Sequence, residues 1–76
     1  MIFSKKQAYG FVNPDKYAGA FTDANGQHVT RGTRVEYRFG ARRGMLLEAL
    51  QDGDAYVMFD DTHQSECVKW INLCKV

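Results

Sequence analysis

The chain has 76 residues, 45% of them hydrophobic and 25% charged, with a formal net charge of +1. That length holds one core and leaves no room for a second domain, and the composition is that of a folded chain. No stretch approaches the roughly eighteen apolar residues of a membrane span, and no apolar run follows Lys5 and Lys6 as it would in a secretory signal, so the expected location is cytoplasmic.

Residues 1–30 read as an N-terminal arm or hairpin. Gln7 to Val12 is a candidate short strand, stopped by the turn signal Asn13-Pro14-Asp15. Tyr17 to Thr22 alternates weakly, and Asn25-Gly26 predicts a tight hairpin turn leading into Gln27-His28-Val29. The aromatics Phe3, Tyr9, Phe11, Tyr17 and Phe21 are expected to bury against the rest of the chain or in a partner.

Residues 31–76 read as a small five-stranded all-β barrel. Gly32 to Phe39 is the first strand, with Val35, Tyr37 and Phe39 on one side and Arg34, Glu36 and Arg38 on the other. A turn spans Gly40 to Gly44 and carries Arg42 and Arg43 between glycines, where mobile arginines meet phosphate or carboxylate. Met45 to Leu50 has blurred alternation. A short helix over 43–50 competes with a strand there, and the strand is preferred because glycines on both sides leave only about two helical turns. Asp52-Gly53-Asp54 is a turn, Ala55 to Asp60 a strand with Val57 and Phe59 on one face, and Val68 to Leu73 the closing segment.

Charge is unevenly distributed. Residues 1–44 have a balance of +5 and residues 45–76 a balance of −4. Such a split steers a polyanion to one side, unless opposite charges face each other across adjacent strands. Cys67 and Cys74 lack framework spacing and are expected as reduced, half-buried thiols. His63 and Cys67, near Asp60, Asp61 and Glu66, lack the paired spacing of a zinc site, so no metal and no cofactor is expected.

The pattern Gly32-x-x-Val35, Gly44, Tyr56-Val57-Met58-Phe59-Asp60-Asp61, Val68-x-Trp70 and Leu73 resembles the SH3-like barrels of the Tudor and KOW type. Tudor domains bind methylated lysine or arginine in an aromatic cage, and KOW domains bind RNA or protein. The resemblance implies Tyr37, Tyr56, Phe59 and Trp70 as groove aromatics, with Asp60 or Asp61 as counter-charge. Gly32-Thr33-Arg34-Val35, Gly40-Ala41 and Gly44 also resemble the SH3-like plasmid-borne dihydrofolate reductases. Val68-Lys69-Trp70-Ile71 stands where that family carries Val-Gln-Ile-Tyr, which leaves a reductase as a remote alternative. Tyr9-Gly10-Phe11-Val12 is similar to the Gly-Phe-rich strand of cold-shock domains.

No nucleophile–base pair or phosphate loop is present, so no catalytic residue is assigned and the chain is expected not to be an enzyme. The expected function is a non-catalytic binding module, an accessory protein of the kind carried on mobile elements. Its expected partner is nucleic acid or a nucleic-acid-associated protein. The binding residues would be Arg34, Arg38, Arg42, Arg43 and Lys69 for phosphates, with Tyr56 and Trp70 as stacking platforms. The alternative is a protein-interaction or self-assembling module that uses strand edges and aromatics.

Overall fold

The computed structural model describes residues 13–76, and the strand expected at residues 7–12, with Phe3, Tyr9 and Phe11, lies outside them. Among the described residues the fold is all-β, with antiparallel sheets compatible with an SH3-like fold. Seven short strands run in order: β1 (Ala20–Thr22), β2 (His28–Thr30), β3 (Arg34–Tyr37), β4 (Arg42–Ala49), β5 (Asp54–Phe59), β6 (Ser65–Lys69) and β7 (Leu73–Lys75). Single 3-10 turns occupy Pro14–Lys16, Phe39–Ala41 and Trp70–Asn72. No described helix is long and apolar enough to cross a membrane.

Strands β1 and β2 form a hairpin on their own, with Phe21 opposite Val29. Its loop contains Asn25-Gly26, as the turn chemistry predicts, with Gly26 at φ 78°. The other five strands form one sheet in the order β6-β5-β4-β3-β7. Strands β3 to β6 are a meander, and the turn at Trp70–Asn72 carries β7 back to pair with β3. The sheet is open among the described residues, with no ladder joining β6 to β7.

Two expectations change here. The closing segment from Val68 to Leu73 divides between elements: β6 begins earlier than expected, at Ser65, and the chain turns at Trp70. The Trp70 amide donates to the Gly53 carbonyl, and the Leu73 amide donates to Trp70, so the backbone is satisfied while it changes partner strand. Strand β4 takes in Arg42, Arg43 and Gly44, so the turn is confined to Phe39–Ala41 and Gly44 is not a corner. Gly44 lies between Val35 and Phe59, where an added Cβ would press on the Met58 carbonyl oxygen of β5.

The blurred alternation of β4 has a local cause. Leu46 pairs with Val57 and Glu48 with Tyr56, which leaves Leu47 as the extra residue of a β-bulge. The bulge resets the faces, so that Leu46 and Ala49 both reach the core. That core gathers Phe21, Val29, Val35, Leu46, Ala49, Ala55, Val57, Phe59 and Leu73, with Tyr37, Val68 and Trp70 packed against it. Side chains such as Phe59 and Leu46, fully buried here, each contribute about 1.5–3 kcal/mol by leaving water. The hairpin thus shares the core of the sheet through Phe21 and Val29. A second cluster, on the Tyr56 face of the sheet, joins Leu50 and Tyr56 to Tyr17, Leu47 and Cys67.

Candidate interaction surface

Most of the expected phosphate-binding side chains already have anionic partners inside the chain. Arg34 projects from β3 and grips Asp60 with both terminal nitrogens, Nη1 donating to Oδ1 at 2.9 Å. Arg42, at the start of β4, meets two carboxylates. Its Nε donates to Asp61 Oδ2 at 2.8 Å, and its Nη2 donates to Glu66 Oε2 at 2.6 Å. Arg43 Nε donates to Glu36 Oε1 at 3.1 Å across the β3–β4 pair, and Lys69 Nζ lies 2.7 Å from Oδ1 of the buried Asp54 across β5–β6.

These contacts show up in the proton affinities. The Arg34 guanidinium holds Asp60 below the ordinary carboxylate range, and Arg42 does the same to Asp61 and Glu66. Arg34 and Arg42 are themselves pushed up by the same hydrogen bonds. The charge split along the chain is therefore cancelled in part in space. Arg34 and Arg42 of the basic half meet Asp60, Asp61 and Glu66 of the acidic half across the meander.

Arg38 stands apart. It does not continue a stripe from Arg34, because the strand has ended: Arg38 has helical dihedrals, φ −63° and ψ −30°, and leads into the Phe39–Ala41 turn. Its guanidinium carbon sits 5.2 Å from the centre of the Phe39 ring. No carboxylate among the described residues pairs with it, and residues 1–12 contain no Asp or Glu.

The expected stacking platforms are packed away. Tyr56 is only 4% exposed, because its β5 position faces the second cluster. Trp70 is half-buried and stacked on Phe21 of the hairpin, ring centres 5.3 Å apart and planes 6° from parallel. Phe59 is fully buried and Tyr37 leans against it, so the aromatics that the resemblance places in a groove are buried in the apolar clusters or packed against them. Conversely, Phe39 was expected to face inward with Val35 and Tyr37 and is 55% exposed. The positive φ of Gly40 and Ala41 turns the chain out of the strand at that point.

Phe39 and Ile71 are the residues that sequence reasoning missed. Ile71 is 75% exposed in the Trp70–Asn72 turn, and the Arg38 amide donates to the Asn72 carbonyl at 2.9 Å, tying the two turns side by side. Each is an apolar residue two positions past a strand end, a placement that shows only once the strand ends are known. Asp23 was also missed. Its Oδ1 accepts from the amides of Asn25 and Gln27 and its Oδ2 accepts from the Lys75 amide, so one carboxylate ties the hairpin to β7. That last bond, ahead of the others, lowers its proton affinity.

The remaining polar groups form no reactive constellation among the described residues. His63 is exposed in the β5–β6 turn, Cys67 and Cys74 are half-buried, and no three potential metal ligands converge there. A shallow hollow lined by Lys16, Leu50, Gln51 and Asp52 adjoins none of the expected binding residues. Comparison with known proteins finds no family model that matches the chain, no similar curated protein and no similar solved structure.

Proposed function

We propose that the chain is a non-catalytic binding module of the SH3-like barrel type whose partner is a protein. The barrel reading is supported by the β3–β6 meander and the 3-10 turn that returns β7 to β3. The observation that carries the function is the exposure of Phe39 and Ile71 in two adjoining turns, next to Arg38, a cation that pairs with no carboxylate among the described residues. The lack of framework spacing between Cys67 and Cys74 agrees with a reducing, cytoplasmic setting.

The nucleic-acid reading is the weaker one, because Arg34, Arg42, Arg43 and Lys69 would each have to leave a carboxylate to meet a phosphate. A Tudor-type cage would need the face of Phe59, which Arg42 covers. A reductase would need the glutamine and tyrosine that Val68-Lys69-Trp70-Ile71 lacks.

The test is an amide-shift NMR titration with short single- and double-stranded DNA and RNA at low and high salt. Beside it runs protein capture on the immobilised chain and on its Phe39→Ser/Ile71→Ser variant. The expected result is no saturable shift with nucleic acid and a captured protein that the variant fails to retain. Salt-sensitive shifts centred on Arg31, Arg34 and Arg38 would overturn the proposal in favour of nucleic acid.

A further inference from the structure

Arg38 differs from Arg34, Arg42 and Arg43 in one respect that bears on the partner's chemistry. Arg34, Arg42 and Arg43 each hold a carboxylate of the chain, whereas Arg38 rests on an exposed aromatic ring and holds none among the described residues. A cation–π contact uses no hydrogen-bond donor, so the fork of the guanidinium remains available for bidentate recognition. Its ring partner Phe39 is 55% exposed, and Ile71, 75% exposed, stands in the adjoining turn, whose Asn72 carbonyl accepts from the Arg38 amide. Apolar side chains that flank an uncompensated cation complement an anion flanked by apolar side chains.

We propose that this surface receives a segment of a partner protein in which an Asp or Glu stands beside an aromatic or large aliphatic residue. The carboxylate pairs with Arg38, and its apolar neighbour covers Phe39 and Ile71. A second copy of the chain is the poorer occupant. An isologous contact across a two-fold axis through this patch sets Arg38 against its own copy, and like charges across an interface are unfavourable. The inference rests on the protein-partner reading above and narrows it to one chemistry.

The experiment is selection of random dodecapeptides displayed on phage against the full chain, with counter-selection on the folded Phe39→Ser/Ile71→Ser variant. Selected peptides are then titrated against the wild-type chain and Arg38→Ala, with decathymidylate as a further ligand. Peptides enriched in an acidic residue next to Phe, Trp, Leu or Ile are expected. Their affinity is expected to fall about tenfold in Arg38→Ala, as loss of a charge-assisted hydrogen bond does. Amide shifts should centre on residues 38, 39 and 71. Peptides that depend on Phe39 and Ile71 but show no acidic enrichment would overturn the proposed chemistry and leave the surface standing. Failure to recover any peptide dependent on those two residues would overturn the surface as well. Decathymidylate that shifts the same amides and competes with the peptides would transfer the site to nucleic acid.

Discussion

The guanidinium carbon of Arg42 lies 4.0 Å from the centre of the Phe59 ring, with Asp61 and Glu66 bonded to its nitrogens. Arg42 shares the inward face of β4 with Gly44 and Leu46, so it covers the core where the sheet would otherwise admit water onto Phe59. The contact combines packing by a flat, weakly hydrated cation with a two-carboxylate clamp. An arginine that sequence reasoning assigns to a mobile loop and to phosphate is instead part of the roof of the core.

Arg42→Ala is expected to lower the thermal midpoint by several degrees, because it uncovers Phe59 and leaves Asp61 and Glu66 facing each other. Arg42→Met keeps a stem over the ring and should recover part of that loss. Circular-dichroism melts of the two variants measure the split between packing and charge. Equal midpoints for wild type and Arg42→Ala would show that the contact contributes nothing.

Gly44→Ala tests the close approach of β4 to β5. The added Cβ would press on the Met58 carbonyl oxygen and come 2.9 Å from Val57 Cγ1, and a backbone atom cannot swing aside as a side-chain end can. A loss of about 3 kcal/mol is expected, at the upper end for overpacking. Urea unfolding followed by tryptophan fluorescence reads it directly. A loss below about 0.5 kcal/mol, the range of ordinary surface changes, would mean the strands separate readily here.

The turn residues and the strands were legible in sequence where local chemistry decides the outcome. Asn25-Gly26 makes its hairpin, Gly53 its turn at φ 97°, and Val35, Val57 and Phe59 reach the core. Legibility ended where register or partner choice decides. The bulge at Leu47 carries no composition signal, and Trp70 turns because Gly53 and Leu73 offer bonds that only the folded chain brings near. The internal pairing of the candidate site was illegible for the same reason. Alternation identifies which face a residue takes, but not that Asp60, Asp61 and Glu66 will stand opposite Arg34 and Arg42. The charge split resolves in part by opposite signs neutralising one another across strands, at Arg34 and Arg42.

Trp70→Ala is expected to act on stability before it acts on any partner. Its ring is stacked on Phe21, so truncation removes the contact that fastens the β1–β2 hairpin to the turn before β7. A half-buried tryptophan loses about 2 kcal/mol on truncation, less than a fully buried one. Denaturant unfolding measures this, followed by backbone circular dichroism because the fluorophore is lost. Wild-type stability with impaired partner binding would instead make Trp70 a contact residue.

Phe39→Ser/Ile71→Ser has the opposite expected signature. Ile71 is mostly in water and Phe39 is about half exposed, with its ring edge-on to Tyr37, so stability should fall by no more than about 1.5 kcal/mol while capture of the partner is lost. Unfolding curves and capture on the same preparation separate the two effects. A large drop in stability would place these residues in the fold's support and not on its working surface.

Acid stability should report the carboxylates, and the sign follows from their depressed proton affinities. Asp23, Asp60 and Asp61 fall below the ordinary aspartate value of 3.8, and Glu66 falls below the ordinary glutamate value of 4.5. The unfolded chain takes up protons at those ordinary values while the folded chain still resists. Stability is therefore full above the glutamate value and is lost as pH falls through the lower folded values. The two kinds of contact separate by salt. Asp60, Asp61 and Glu66 answer exposed or half-exposed arginines, so about 1 M salt should screen much of their share. Asp23 accepts from three backbone amides, and its share should persist. In Asp23→Asn, the side chain can still accept through one oxygen but must turn a donor toward another amide. That variant should be less stable at neutral pH and should lose the salt-resistant part of the acid transition, as read in urea titrations across the acid range at both salt concentrations. An acid transition unchanged by Asp23→Asn would remove the carboxylate from its place as the tie between hairpin and β7.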